Sequence, residues 1–250
     1  MTATPLGRTR RTALAGALCA GLVVTGTGLT GCSDDPDAGT NGVGRLPAAQ
    51  IQQRTLAAAA AAATVRLSGS VVSGKTTYKL DIKLSDEGAS GAVTSKDTTF
   101  QLLRIGERLY LKAGAAFWRQ EDGKSGGAAG SAAEKLGGKY VKVPEEDPAY
   151  KRFSGFTDKD TLLTGLLTLH GTVSTDGRHE VDGVRTVRVA GGDGSGGALD
   201  VSLEGKPYPL RLSRAGNAGA LTLTDWDKPF TPKAPPAEDT LDYGRNLPTG

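Results

Sequence analysis

From Thr64 onward, apolar and polar residues alternate with a period of two, and this alternation limits the fold of the 250-residue chain more than any other feature. Val65, Leu67, Gly69 and Val71 alternate with Arg66, Ser68 and Ser70; Tyr78, Leu80, Ile82 and Leu84 alternate with Lys79, Asp81 and Lys83. Successive side chains of a strand point to opposite faces, so such runs make antiparallel strands with one apolar and one wet face. A hairpin of residues 100–105 and 108–113 around Gly106-Glu107 sets Leu102 opposite Leu111, Arg104 opposite Leu109 and Phe100 opposite Ala113. Opposed residues share a face. Phe100, Leu102, Leu109 and Leu111 therefore form an apolar face, and Leu103 and Tyr110 share the other.

The same reasoning predicts a short strand at 140–143 and a second run of strands at 171–174, 184–189, 199–203, 208–213 and 220–226. The turn signals DGRHEVDG, GGDGSGG, EGKP and AGNAG separate this second run. Two stretches carry helical signals instead. Pro47 opens one that includes Ile51, Leu56 and an unbroken alanine run from Ala57 to Ala63. In the other, Asp160 precedes Leu162, Leu163, Leu166, Leu167 and Leu169, the spacing of a capped helix with an apolar stripe. Residues 122–133 are an insertion of small residues expected to be a mobile loop, and the tail from Lys228 is proline-rich. The expected body is one α+β domain of about 180 residues, with eight to eleven antiparallel strands and two or three helices, large enough for a single core. Aromatics are only 5% of the chain, so that core must be mostly Leu, Val, Ala and Ile.

Ahead of this body, Arg8, Arg10 and Arg11 precede an apolar stretch from residue 12 to 30 that is interrupted by Gly16, Gly21, Gly26 and Gly28. Acids Asp34, Asp35 and Asp37 follow it at once, where a membrane-spanning helix would carry a basic stop-transfer flank. This is the order of a secretory signal peptide. Leu29-Thr30-Gly31-Cys32 then resembles the lipobox of bacterial lipoproteins. The resemblance implies a diacylglyceryl thioether on Cys32, cleavage just before it, and anchoring on the extracytoplasmic face of the cell membrane. Two acyl chains suffice for that anchoring, at about 0.8 kcal/mol per buried methylene. Residues 9–14 also resemble a twin-arginine signal, which leaves the export route open.

Cys19 leaves with the signal and Cys32 is modified, so no disulfide is expected. The three leader arginines account for the whole formal charge of +3, and the mature chain is neutral. A neutral chain of mixed charges offers no electrostatic footprint for nucleic acid.

Several segments imitate catalytic motifs. Gly123-Lys124-Ser125-Gly126-Gly127 matches G-x-S-x-G and the end of a P-loop, but it lies in the low-complexity insertion, and Trp118 stands where the first P-loop glycine belongs. In 192–197 an extra glycine separates Asp193 from Ser195, and a hairpin loop is expected. His170 and His179 are the only histidines, so neither a metal site nor a cofactor is expected. Glu145, Glu146, Asp147, Asp158 and Asp160 are expected at turns and helix starts. No catalytic constellation is recognised, and the chain is not expected to be an enzyme.

Ile105-Gly106-Glu107-Arg108-Leu109-Tyr110-Leu111-Lys112, then Phe117-Trp118, then Gly137-Gly138-Lys139-Tyr140-Val141-Lys142-Val143 resemble the middle of the mycobacterial LppX and LprG lipoprotein family. Val181-Asp182-Gly183-Val184, Pro209-Leu210-Arg211-Leu212 and Trp226-Asp227-Lys228-Pro229-Phe230 resemble its C-terminal half, in the same order. The similarity covers most of residues 46–236, with Tyr140 at the usual aromatic position and the 122–133 loop as an addition near the expected cavity mouth. It implies a U-shaped antiparallel half β-barrel, related to LolA-type carriers, with helices covering its concave face over an apolar cavity that binds acylated lipid. The expected organisation is a signal at 1–31, a flexible tether at 32–45, the half-barrel at 46–236 and a flexible tail at 237–250. In that half-barrel Leu80, Ile82, Leu102, Leu109, Leu111, Val201, Leu203, Leu210, Leu212, Leu221 and Leu223 point to the concave side, with Leu163 and Leu167 of the central helix over them. The expected partners are a lipid or other apolar ligand and, through Cys32, the membrane. The alternative expectation is a half-barrel with a filled core that presents its loops to an envelope protein.

Overall fold

The structure is a computed structural model that describes residues 37–96, 98–121 and 133–242. Its strands form one open sheet of twelve in the order β12-β6-β5-β4-β3-β2-β1-β11-β10-β9-β8-β7. The first half is a meander of β1 (Thr64–Ser73), β2 (Thr76–Ser85), β3 (Gly88–Ser95), β4 (Thr98–Ile105), β5 (Arg108–Ala113) and β6 (Tyr140–Val143). The second comprises β7 (Val173–Val181), β8 (Val184–Gly191), β9 (Ala198–Ser202), β10 (Pro209–Ser213) and β11 (Gly219–Thr224). Long-range pairing of β1 with β11 fuses the two. Every pairing is antiparallel except that of β12 (Thr240–Asp242) with β6.

The hairpin register is the one the alternation predicts: Leu102 pairs with Leu111, Leu103 with Tyr110, and Arg104 with Leu109. Apolar side chains therefore line up across the sheet. One row runs Leu241, Val141, Leu111, Leu102, Gly91, Ile82, Leu67 and Leu223; the next runs Ala113, Phe100, Val93, Leu80, Gly69, Leu221, Leu212, Leu199 and Val189. A face this apolar must be covered. Helices α1 (Ala48–Ala60), α2 (Ala115–Glu121), α3 (Pro148–Thr157) and α4 (Lys159–Leu167) supply Ile51, Ala59, Phe117, Trp118, Phe153, Leu163 and Leu167 to the same apolar cluster. Leu103 and Tyr110 are also buried, but lie on the other face and outside that cluster.

Acidic residues start two of the helices. The Asp147 carboxylate accepts from the Ala149 N–H ahead of α3, with Pro148 in the first turn, and Asp158 accepts from the Thr161 N–H ahead of α4. The cap of α4 is thus Asp158, and Asp160 lies inside its first turn. The 192–197 segment is the loop between β8 and β9, where Gly196 packs so closely that a Cβ would fall 1.9 Å from the His170 carbonyl oxygen. Both sheet edges are unsuited to further pairing. β12 has three residues, and β7 carries Asp176, Arg178, His179 and Glu180 beside an irregularity between Thr175 and Arg178.

Three expectations are corrected. Leu210 does not join the inner face: the β9–β10 register shifts between Pro209 and Arg211, Pro209 pairs with Val201, and half-buried Leu210 stays outside the apolar cluster. The domain does not end at 236, because residues 237–239 form a 3₁₀ turn and β12 adds an edge strand. Nor are residues 37–45 a flexible tether. Asn41 donates its N–H to the Leu203 carbonyl and its side-chain amide to the Ser202 and Gly205 carbonyls, and Val43 is buried in the core.

Candidate functional site

A groove of about 410 Å³ opens on the helix-covered face where β1 ends, β2 begins, β3 ends and β4 begins. Its floor is Val71, Tyr78, Leu80, Val93, Phe100 and Leu102, and α2 and α3 contribute Phe117, Phe153 and Phe156. The cross-strand row at this end runs Gly219, Val71, Tyr78, Ser95 and Thr98, in which Tyr78 alone is large. Space is therefore left beneath the aromatic side chains above it. Those rings pack on one another: Phe100 lies 5.3 Å from Phe117 and 5.8 Å from Phe153, centroid to centroid. Phe156 remains 43% exposed, an apolar side chain held at the opening. The charged residues in the lining are Arg152, whose guanidinium lies 4.8 Å from the Phe153 ring centroid, and Arg214, just past β10; the lining contains no acid.

Of the thirteen residues predicted to line a cavity, Leu80 and Leu102 border this groove. Leu163 and Leu167 border a second hollow, of about 320 Å³, between α4 and the small alanines of α1. Ile82, Leu109, Leu111, Val201, Leu203, Leu212, Leu221 and Leu223 are buried to 3% exposure or less, packed as core under the helices. The aromatic half of the groove does not follow from strand alternation, since Phe153 and Phe156 belong to a helix that alternation cannot reveal. Residues of a catalytic kind are turned to local tasks. The Ser195 hydroxyl donates to the Gly192 carbonyl at 2.6 Å, and the His179 ring lies 2.8 Å from the Asp176 carbonyl oxygen. Among the described residues there is no group of three metal-ligating side chains and no helix long and apolar enough to cross a membrane. The signal, Cys32 and Ser125 lie outside the described residues.

A second feature bears on anchoring. Asp37, 8% exposed, takes both Nε and Nη2 of Arg178 at 2.9–3.1 Å, while Nη2 also donates to the Gly44 carbonyl at 2.7 Å. Arg185 donates to the Ala38 carbonyl at 3.2 Å. The Arg178 guanidinium holds the Asp37 carboxyl below its ordinary range, so the pair stabilises the docked segment above about pH 4 and loses that contribution as pH falls through the lowered value. Arg178→Ala is expected to speed tryptic cleavage after Arg45 about tenfold while the melting temperature moves little, because a charge-assisted bond contributes about 1.5–3 kcal/mol and only local opening is affected. An unchanged cleavage rate would mean that Val43 and Asn41 hold the segment without Arg178.

No protein-family model matches the chain, and no curated protein matches it.

Proposed function

We propose that this protein is a lipid-anchored lipoprotein of the bacterial cell envelope that shields an apolar ligand, a lipid above all, in the groove at the β1–β4 end of its sheet. The reading includes no chemical step. The observation that carries it is the 410 Å³ groove itself, whose volume lies in the range of small-molecule sites and nine of whose eleven lining residues are aliphatic or aromatic. The half-barrel of LppX and LprG type is part of the same proposal, supported by the open twelve-stranded sheet covered by helices on one face and by the succession of motifs behind the lipobox.

A second reading has its own support. Eight of the thirteen predicted cavity residues are close-packed core, which favours an interaction protein that presents its loops to an envelope partner. Native mass spectrometry of the full-length protein, followed by organic extraction, separates the two. A copurifying apolar molecule is the expected result. A protein that carries none, and takes up no fluorescent fatty acid after delipidation, would give way to the interaction reading.

A further inference from the structure

We infer that the end of the sheet where the groove opens is a docking surface for an anionic lipid bilayer. Among the described residues two large apolar side chains are exposed, Val72 at 37% and Phe156 at 43%, and both lie at this end. Val71 lines the groove together with Phe156. Val72, the next residue of β1, points to the opposite face of the sheet, with its N–H bonded to the Ala218 carbonyl at 2.8 Å. A plane laid across this end of the sheet therefore meets an exposed apolar side chain from each face.

Charge is distributed to match. Three connections join strands at this end: Gly74-Lys75 between β1 and β2, Lys96-Asp97 between β3 and β4, and residues 214–218, opening with Arg214, between β10 and β11. They carry Lys75, Lys96 and Arg214 against the one acid Asp97. Lys79, paired with Ser70, adds an exposed base on the face that bears Val72. At the other end of β2, β3, β4 and β5 the connections carry Asp86, Glu87 and Glu107 and no base. The mature chain is neutral as a whole, so the effect lies in the arrangement: a negative surface attracts the groove end and repels the other. A bilayer suits this end better than a protein does. Bases at the rim meet headgroups, apolar side chains among them reach the acyl boundary, and neither contact needs a complementary shape. The inference stands on the end of the sheet and not on what the groove holds; where the groove holds a lipid, docking lets that lipid pass to the bilayer without crossing water.

The test places a nitrobenzoxadiazole probe on Val72→Cys, outside the groove lining, and a control probe on Glu107→Cys at the acidic end. With Cys32 acylated and Cys19 removed with the signal, the introduced thiol is the reactive one; should the mass of the protein show no acylation, the probes go into a background with Cys19 and Cys32 replaced by Ser, so the anchoring proposal and this inference fail separately. Protein on liposomes of phosphatidylcholine, with and without phosphatidylglycerol, is then exposed to aqueous dithionite, which bleaches the probe wherever water reaches it. Bleaching at position 72 is expected to slow at least about fivefold when phosphatidylglycerol is present, the effect of about one basic side chain at an anionic surface, and to recover in molar salt. Lys75→Glu combined with Lys96→Glu should abolish the slowing with an unchanged melting temperature, and the probe at 107 should bleach equally on both liposomes. Equal bleaching at position 72 on the two liposomes would overturn the inference and leave this end to an acidic protein partner. Equal slowing at 72 and 107 would also overturn it, because the body would then lie on the bilayer with no preferred end.

Discussion

Cys32→Ser is expected to abolish incorporation of radiolabelled fatty acid and to leave the chain uncleaved, heavier by residues 1–31 and by no lipid. The effect is all or none because the sulfur is the only mature thiol in the sequence and both later events depend on its modification in the lipobox reading. A single acyl chain binds a bilayer marginally, whereas the two of a diacylglyceryl group anchor it, at about 0.8 kcal/mol per buried methylene. The docking of residues 37–45 sharpens what anchoring would mean. With Asp37 held by Arg178, the four residues 33–36, five Cα-to-Cα steps, separate the lipidated position from the folded body. At roughly 3.6 Å per residue this allows a separation of no more than about 18 Å. The body would then work at the membrane surface, not at the end of a long leash. Label that persists in Cys32→Ser, or wild-type protein that is wholly soluble without proteolysis, would remove the anchoring proposal.

How far the fold could be read in the sequence depends on what each segment exposes to both solvents, water and core. β1 and β2 separate one wet face from one dry face, and β4 and β5 do so except at the buried Leu103–Tyr110 pair, so their alternation and even their register are legible: the Leu102–Leu111 and Leu103–Tyr110 pairs follow from the turn alone. β3 was not legible. Its sequence GASGAVTS lies between β2 and β4, where Gly91 must be small because a Cβ would come within 2.5 Å of the Ile82 Cα, and small residues carry no alternation. β7 is legible only over its first residues because it is an edge strand, exposed along nearly its whole length, with an irregularity in the middle. In β12 the strand character comes from β6 and from long-range placement, not from the tripeptide Thr240-Leu241-Asp242. The candidate site was half legible for the same reason. Strand periodicity gives Leu80 and Leu102, but the walls provided by Phe117, Phe153 and Phe156 depend on where the helices land, and for the same reason Leu163 and Leu167 border a different hollow, beside α1.

That division between groove and core makes a pair of tryptophan substitutions decisive. Leu80→Trp is expected to lower ligand occupancy at least about tenfold with little change in melting temperature, because Leu80 is half-buried and borders open space into which a larger ring can grow. Leu111→Trp, at first sight an equivalent change on the same face, is expected to do the opposite. Leu111 is 1% exposed and paired with Leu102 and Val141, with no free volume beside it in the groove, so the added ring must displace neighbours. Overpacking of that kind costs about 1–3 kcal/mol, which in a domain of this size lowers the melting temperature by about 2–4 °C for each kcal/mol. Leu203, equally buried, should behave like Leu111. The size of the occupancy effect follows from what the groove offers: some twelve methylenes buried there contribute on the order of 9 kcal/mol before the ligand's lost freedom is subtracted, so displacing even a few of them costs more than tenfold in affinity. Occupancy and melting temperature are read on the same samples, by native mass spectrometry and by circular dichroism. If Leu80→Trp keeps its full complement of copurifying lipid, the ligand lies elsewhere and the groove loses its role. If Leu111→Trp instead loses ligand at an unchanged melting temperature, the centre of the sheet holds space that close packing at Leu111 rules out, and the division drawn here between a filled centre and an open end is wrong.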